Sequence, residues 1–553
     1  MATDYYDTHR STFKKARGAL QTREYWSPYA ESPRAYEDAA PKEGEAAYSA
    51  RLGKPFVLEG HPGEGFIEVA ESSPYGVELG ISYPKADPGE LIAGAQAAMA
   101  EWGLASAKTR AGVCLEILDR LSAASFEMAH AVMQTTGQAF LMAFQAGGPH
   151  ALDRGLEATA YGFNELRRMP REMQWEKPQG KRDPIVIDKT WRTRPAGIAV
   201  TVGVSTFPTW NGYPGVFASL VTGNVVIVKP HPETILPFAL FVETARGVLA
   251  EAGFDPNVVT LAADTPDRPI AKDLVKDPAV AIVDYTGGAA FGNWLEENAT
   301  HAAVFTEKSG VNSVVLDSAP DLKGVFRNLS VSMSMYSGQM CTTPQNVYIP
   351  RDGIVVGDEV VPFDAVLDAF SGAIEGLLAD DARASDILGS IKGTATMERI
   401  DAAGSGGEVV LESRTVVNPT FPAAVVRTPV VVAVDAADQA LYMREMFGPV
   451  IYVVATDSTE QSLALARESA RSHGALTWLV YTTDADMMEA AIDAAVDAGV
   501  SVAFNLTGAL FVNQSAAFSD FHVTGANPSG NASLTDPAFI AGRFRVIGVR
   551  TPA

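Results

Sequence analysis

Apolar positions along the chain follow two rhythms. Leu91, Ala95, Ala98 and Trp102, then Val113, Leu115, Ile117, Leu118 and Leu121, recur at helical spacing. Residues 88–148 therefore read as a long helical region, and 151–168 as a further helix that stops near Pro170. From Gly197 the rhythm changes. Short apolar runs at 197–204, 224–228, 258–262 and 280–285 alternate with helical patterns at 213–222, 234–253 and 269–275. Strands alternating with helices predict parallel βαβ units in a doubly wound sheet, whose ligands sit at the carboxyl ends of the strands. The second half continues the alternation. Helices are expected at 363–378, 397–403, 461–472 and 487–498, and strands at 409–411, 423–426, 430–434, 451–455, 477–481 and 500–505.

The remaining stretches lack either rhythm. Residues 1–60 are polar and rich in aromatics (Tyr5, Tyr6, Tyr25, Trp26, Tyr29, Tyr36), which suggests an arm or short helices draped over a larger body. Residues 177–193 are charged, flanked by prolines, and suggest a hairpin that bridges subunits. Residues 511–536 read as a loop rich in Gly, Asn and Ser, followed by a last strand at 539–549 that joins a neighbouring subunit.

A chain of 553 residues is too long for one core, so two or three domains are expected. A hydrophobic share of 47% with 20% charged residues is ordinary for a globular protein, and a net charge of −23 argues against nucleic acid or an anionic membrane as partner. There is no apolar run long enough to span a bilayer and no apolar signal core near the start, so a cytoplasmic protein is expected. Two cysteines exclude a disulfide scaffold or a cysteine-rich metal site, and no metal is expected.

Those two cysteines differ in context. Cys114 falls within a helical apolar run and reads as a buried structural thiol. Cys341 stands in Ser337-Gly338-Gln339-Met340-Cys341-Thr342-Thr343, a polar stretch before the apolar run Val347-Tyr348-Ile349, and so at the edge of a cleft. A thiol attacks only as thiolate, so something nearby must take its proton. Three strand ends lie upstream: Lys229-Pro230, then Thr286-Gly287-Gly288 at the start of a helix, where free N–H groups suit a pyrophosphate, then Glu307.

Taken together these pieces resemble the aldehyde dehydrogenase superfamily from about residue 90 onward. The separation of Glu307 and Cys341, 34 residues (341 − 307), is similar to that family's base and nucleophile. Lys229-Pro230 resembles its cofactor-binding Lys-Pro, and Thr286-Gly287-Gly288 its turn beside the pyrophosphate. Glu445-Met446-Phe447-Gly448-Pro449 resembles the motif whose glutamate holds the nicotinamide ribose. The implied fold is α/β, aldehyde dehydrogenase-like. It has an N-terminal extension (1–60), a Rossmann-type cofactor domain (61–176 and 198–307), a bridging and oligomerisation element (177–197 and 537–553) and a second α/β catalytic domain (308–536).

The resemblance implies NAD- or NADP-dependent oxidation of an aldehyde to the acid by a homodimer or homotetramer. Cys341 would be the nucleophile and Glu307 the base for thioester hydrolysis. Lys229, Thr286, Gly287, Gly288, Glu445 and Phe447 would hold the cofactor. Pro232 stands where NAD-preferring relatives place a ribose-binding glutamate, so NADP is expected to be accepted, with Lys229 and His231 near its extra phosphate. The family's oxyanion-holding asparagine is replaced in register by Thr206, with Asn211 five residues on as the alternative. Phe511, Phe518, Phe521 and His522 are expected along the substrate tunnel. Ser205-Thr206-Phe207-Pro208-Thr209-Trp210-Asn211 and Lys229-Pro230-His231-Pro232-Glu233-Thr234 are most similar to the branch acting in phenylacetic acid degradation, which extends the expectation to a ring-opened CoA-thioester semialdehyde. Two rivals stay open: a CoA-acylating dehydrogenase, which typically lacks the Glu307 base, and a non-catalytic binding protein on the same fold.

Overall fold

A computed structural model describes residues 5–553. Three sheets organise it. The first is five-stranded and wholly parallel, in the order Val259–Leu261, Val225–Lys229, Ile198–Val202, Val280–Gly287, Ala303–Lys308. Its central strand comes first in the chain and the later ones add to either side, so the order reverses beside Ile198–Val202. Both faces are covered by helices, which is why these strands are continuous apolar runs. Their carboxyl ends bring Lys229, Thr286 and Glu307 to one edge, and Thr286 pairs directly with Glu307.

The second sheet has seven strands, in the order Glu408–Leu411, Val430–Asp435, Val450–Thr456, Pro344–Pro350, Asn312–Leu316, Thr477–Tyr481, Ser501–Phe504, with only the first antiparallel. Val314, Val347, Val453 and Leu479 face one set of helices and Val315, Tyr348, Val454 and Val480 the other, so the period-2 alternation of each strand feeds two separate cores.

The third sheet joins the hairpin Glu172–Gln179 and Arg182–Pro195 to Phe544–Pro552. Here the expectation is corrected. The last strand pairs along its length with this chain's own hairpin, and Phe539 lies on the helix Pro537–Ala541 before it. Asp536 caps that helix by accepting from Phe539 N, and Pro537 suits its first position, so the chain turns helical where an apolar strand was expected.

Prolines explain two further differences. The helix expected at 213–222 starts earlier, at Pro208, as Pro208–Thr222, which puts Asn211 inside its first turns. The strand expected at 423–426 is only Val426–Arg427, cut short between Pro422 and Pro429. Residues 5–60 include the short helices Arg10–Thr22 and Ala40–Ser49 laid over the body, with Phe13, Ala16, Leu20 and Tyr48 buried in the main core. Cys114 is fully buried, as read from its context. No helix among the described residues is long and apolar enough to cross a membrane.

Arg543 ties the end of the chain to the first sheet. Its guanidinium is fully buried and donates to both oxygens of Asp284, at 2.8 and 2.5 Å, and to Ser219 Oγ at 2.8 Å. It also lies against the Phe305 and Phe539 rings. Removing one partner of a buried ion pair leaves the other charge without compensation. Arg543→Ala should therefore lower unfolding free energy by about 3–5 kcal/mol, read as a shift in the denaturant midpoint; a loss under about 1 kcal/mol would show that Asp284 finds water or another donor.

Candidate active site

Cys341 is held by the turn that precedes it. After the helix Leu322–Ser334, Tyr336, Ser337 and Gly338 take left-handed backbone angles (φ 53°, 50° and 65°). Each is pinned: Tyr336 Oη donates to Thr136 O at 2.6 Å and Ser337 Oγ to Leu388 O at 3.1 Å. A Cβ at Gly338 would lie 2.4 Å from the Gly448 carbonyl, so only glycine lets the two loops pass. Beyond the thiol, the fully buried Asn312 donates to Cys341 O at 2.7 Å and to Thr343 O at 3.0 Å, and accepts from Leu476 N and Thr477 N. The backbone at Cys341 is thus fixed to the interior of the seven-stranded sheet.

Glu307 arrives from the other sheet and is 2% exposed. Its Oε2 accepts from Asn211 Nδ2 at 2.9 Å and its Oε1 lies 2.9 Å from His522 Nε2. The same Nε2 is 3.8 Å from Cys341 Sγ. Sulfur, imidazole nitrogen and carboxylate lie within 4.8 Å of one another. Burial first, then the Glu307 charge, pushes the Cys341 thiol well above its ordinary value.

Two cavities meet at the thiol. A chamber of about 560 Å³ is lined by Met142, Trp210, Met340, Phe511 and His522, among others. A cleft of about 220 Å³ is lined by Thr206, Thr286, Gly287, Gly288, Glu307, Arg399, Glu445 and Phe447. Phe207, Asn211 and Cys341 line both. The cleft collects five of the seven expected cofactor residues. At its floor, Thr286 and Gly287 end a strand, and Gly288 begins the helix Ala289–Asn298 with open space beside its Cα. The 445–449 loop is held by Gln345, which donates to Tyr442 O and Arg444 O and accepts from Met446 N at 2.7 Å.

Lys229 and Pro232 stand outside that lining. Lys229 is buried and donates to Asp264 Oδ1 at 2.6 Å and to Pro230 O at 2.8 Å. His231 is pulled down to about 4, first by burial and then by Lys392 and Lys229, so it carries no charge near neutral pH. In this structure the Lys229 ammonium is paired with Asp264, whereas His231 brings no positive charge.

Of the expected tunnel residues, Phe511 and His522 line the chamber. Phe518 and Phe521 do not. Phe518 is fully buried, its backbone N–H donating to Glu157 and its ring edge-on to Trp26 at 5.4 Å. Phe521 is 46% exposed and stacks under Arg23 at 4.3 Å. Only Phe518 backs the chamber wall, through Trp26. That wall was missed by sequence reading: Tyr25, Trp26, Ser27, Tyr29 and Glu31 of the N-terminal segment line the chamber. Arg23 Nη2 donates to Ser519 O and Ser519 Oγ donates to Arg23 O, both at 2.6 Å, which clamps this segment to the 511–536 loop. The aromatic density of residues 25–36 was the available signal.

The aldehyde dehydrogenase family profile matches residues 79–532, and the chain belongs to that family. Its fold is the aldehyde dehydrogenase fold. It is similar over its whole length to a crystal structure described as an NAD-dependent aldehyde dehydrogenase from Burkholderia multivorans, at 52% identity, covering 100% of both chains with a TM-score of 0.98. A Thermus thermophilus 1-pyrroline-5-carboxylate dehydrogenase variant shares the fold at 18% identity, with a TM-score of 0.74 over 96% of this chain and 99% of that one. Among curated relatives, geranial dehydrogenase of Castellaniella defragrans is 26% identical over 53% of this chain, and lactaldehyde dehydrogenase of Escherichia coli 26% over 50%. The matches span 59% and 55% of those two proteins.

Asp153 lies in the chamber wall and accepts from Ser27 Oγ at 2.9 Å. Burial raises its carboxyl well above the ordinary range. The folded state then keeps a proton that the unfolded chain has released, so stability falls as pH rises from the ordinary carboxylate range to the raised value. Asp153→Asn keeps the Ser27 contact and removes that term. Its melting temperature should exceed wild type at pH 7 and approach it near pH 3.5; a variant less stable at pH 7 would show that the carboxylate is ionised and paired.

Proposed function

We propose that this protein oxidises an aldehyde to the carboxylic acid, with NAD or NADP as hydride acceptor. The observation that carries the reading is a single thiol, Cys341, lining both an apolar chamber and a cleft with the helix N-terminus of Ala289–Asn298 at its floor. The cleft's donor set fits a dinucleotide: N–H groups at Gly288 for a pyrophosphate and Glu445 for ribose hydroxyls. When bound there, the nicotinamide supplies hydride acceptance.

The protein's own residues do the rest. Cys341 attacks the aldehyde carbon from the chamber side and forms a thiohemiacetal. The oxyanion takes hydrogen bonds from Cys341 N–H and from Asn211, whose buried amide borders both cavities, whereas Thr206 borders only the cleft. Loss of hydride leaves a thioester. Glu307, held by Asn211 and His522, takes a proton from water as that water attacks the thioester. Hydrolysis rather than thiolysis by CoA is favoured by this carboxylate's place beside the thiol.

The substrate we infer has a long body. The chamber's volume of about 560 Å³, its aromatic wall and the Ser205–Asn211 and Lys229–Thr234 runs support a ring-opened CoA-thioester semialdehyde of phenylacetate degradation. Its lining carries no lysine or arginine among the described residues, so such a substrate would place the uncharged arm inside and its phosphates outside. The same reading makes the protein a homo-oligomer through the outer strand Phe544–Pro552, which exposes Val546, Ile547 and Val549.

Reduced cofactor is measured with semialdehydes and simple aldehydes of graded length. Cys341→Ala should fall below roughly a hundredth of wild type while still binding cofactor. Glu307→Gln should give a burst near one equivalent per site and then stall with acylated Cys341 visible by intact mass. Product carrying CoA newly attached at the aldehyde carbon would replace hydrolysis by thiolysis.

The oxyanion assignment is read from the burst rate. Asn211→Ala should slow it by about 10²–10³, the usual loss for one such donor, and Thr206→Val by less than about tenfold. The reverse order would return the role to Thr206.

A further inference from the structure

The arrangement at Cys341 poses an electrostatic problem. A thiolate is needed, yet a carboxylate that must also be ionised to act on water stands in the same buried space. Two anions this close oppose each other's ionisation unless a positive charge lies between them. The charged groups around the pair offer little else. Glu445 adds a further negative charge toward the thiol. In the cleft, Lys308 donates to Asn293 and Glu296, and Arg399 to Phe447 O. Across the chamber, Arg154 lies behind Trp210 and is taken up by Glu157 at 2.9 Å, while burial raises the Asp153 carboxyl well above the ordinary range.

One group does lie between them. His522 Nε2 is 2.9 Å from Glu307 Oε1 and 3.8 Å from Cys341 Sγ. The ring is buried, set edge-on to Trp210 at 4.6 Å, and its backbone exchanges hydrogen bonds with Leu534 in both directions (2.7 and 2.9 Å), so its place is fixed. The sequence reading put His522 along the tunnel, but nothing in it links this histidine of an irregular loop to Glu307 or Cys341.

We propose that His522 takes the proton of Cys341 and stays between sulfur and carboxylate as an imidazolium, so that nucleophile and base are ionised together. The step is a proton transfer only. The S–H bond breaks, an N–H bond forms at Nε2, and the electron pair remains on sulfur for attack. The proton returns when Cys341 leaves the hydrolysed thioester. This deepens the reading of Cys341 as the nucleophile, since Glu307 is then free to act on water alone. It gives the thiol, whose ionisation burial and Glu307 disfavour, a proton acceptor within reach.

The test needs neither aldehyde nor cofactor, so it stands apart from the dehydrogenase reading. Iodoacetamide alkylation of Cys341 is followed by peptide mass spectrometry from pH 5.5 to 10, in the full-length protein with a chelator present. The fully buried Cys114 serves as the silent internal thiol. The wild-type rate should already be substantial at pH 7, with an apparent midpoint below the ordinary thiol value of about 8.5. His522→Gln keeps an N–H donor but cannot carry the proton. It should raise the midpoint by at least one unit, roughly a tenfold slower reaction at pH 7, with its melting temperature and cofactor affinity checked in parallel. Superimposed profiles for wild type and His522→Gln overturn the proposal. If the variant fails to fold, the wild type decides: a single midpoint above about 8.5 overturns it equally. An inert aldehyde panel with the predicted alkylation shift would remove the dehydrogenase reading and leave His522's role standing.

Discussion

A carboxylate buried to 2% exposure is affordable only with donors around it, and at Glu307 those donors set the architecture. One comes from the first turns of the helix Pro208–Thr222 and the other from the irregular 511–536 region. Glu307 itself ends a strand of the parallel sheet, and the thiol beside it belongs to the seven-stranded sheet. Three chain segments and two sheets converge because one charge has to be solvated by protein. Asn312 does the matching work for the backbone at Cys341, spending both its amide and its carbonyl on main-chain groups. A buried polar network in which every member is satisfied costs little and fixes geometry closely.

Much of the framework was legible. The βαβ alternation predicts parallel sheets, and both sheets are there with nearly the expected strands, because a strand buried on both faces must be apolar throughout. Strand-end reading also found Glu307 and the Thr286-Gly287-Gly288 edge, since a doubly wound sheet leaves little choice of where ligands go. What sequence could not show was contact between distant irregular segments. His522 sits 215 residues from Glu307 in a stretch with no periodicity, and nothing local ties the two. Phe518 and Phe521 were misplaced for a related reason: in a loop, neighbouring aromatics need not share a side, and these two turn to Trp26 and Arg23 instead of the chamber. The partner of Lys229 was not legible either, because Asp264 lies 35 residues further along the chain.

Polar residues just after the thiol show how one short run does two jobs. Thr342 Oγ1 donates to Asn513 O on the chamber side, while Gln345 organises the 442–446 segment on the cleft side. The loop that carries Cys341 therefore also sets the spacing of both cavities it opens into. Changing its length by one residue would alter two walls at once.

The clamp between Arg23 and Ser519 joins residues 496 apart in the chain. Contacts of such long range form late, because the entropy of closing so large a loop must be met before the contact gives anything back. The parallel sheets can assemble from nearer neighbours while the chamber is still missing a wall. The wall formed by residues 25–31 therefore depends on a contact between the two far ends of the chain, whereas the sheets do not. Enclosing the thiol thus takes residues from both the first and the last parts of the chain, so a change near either one reaches the same space.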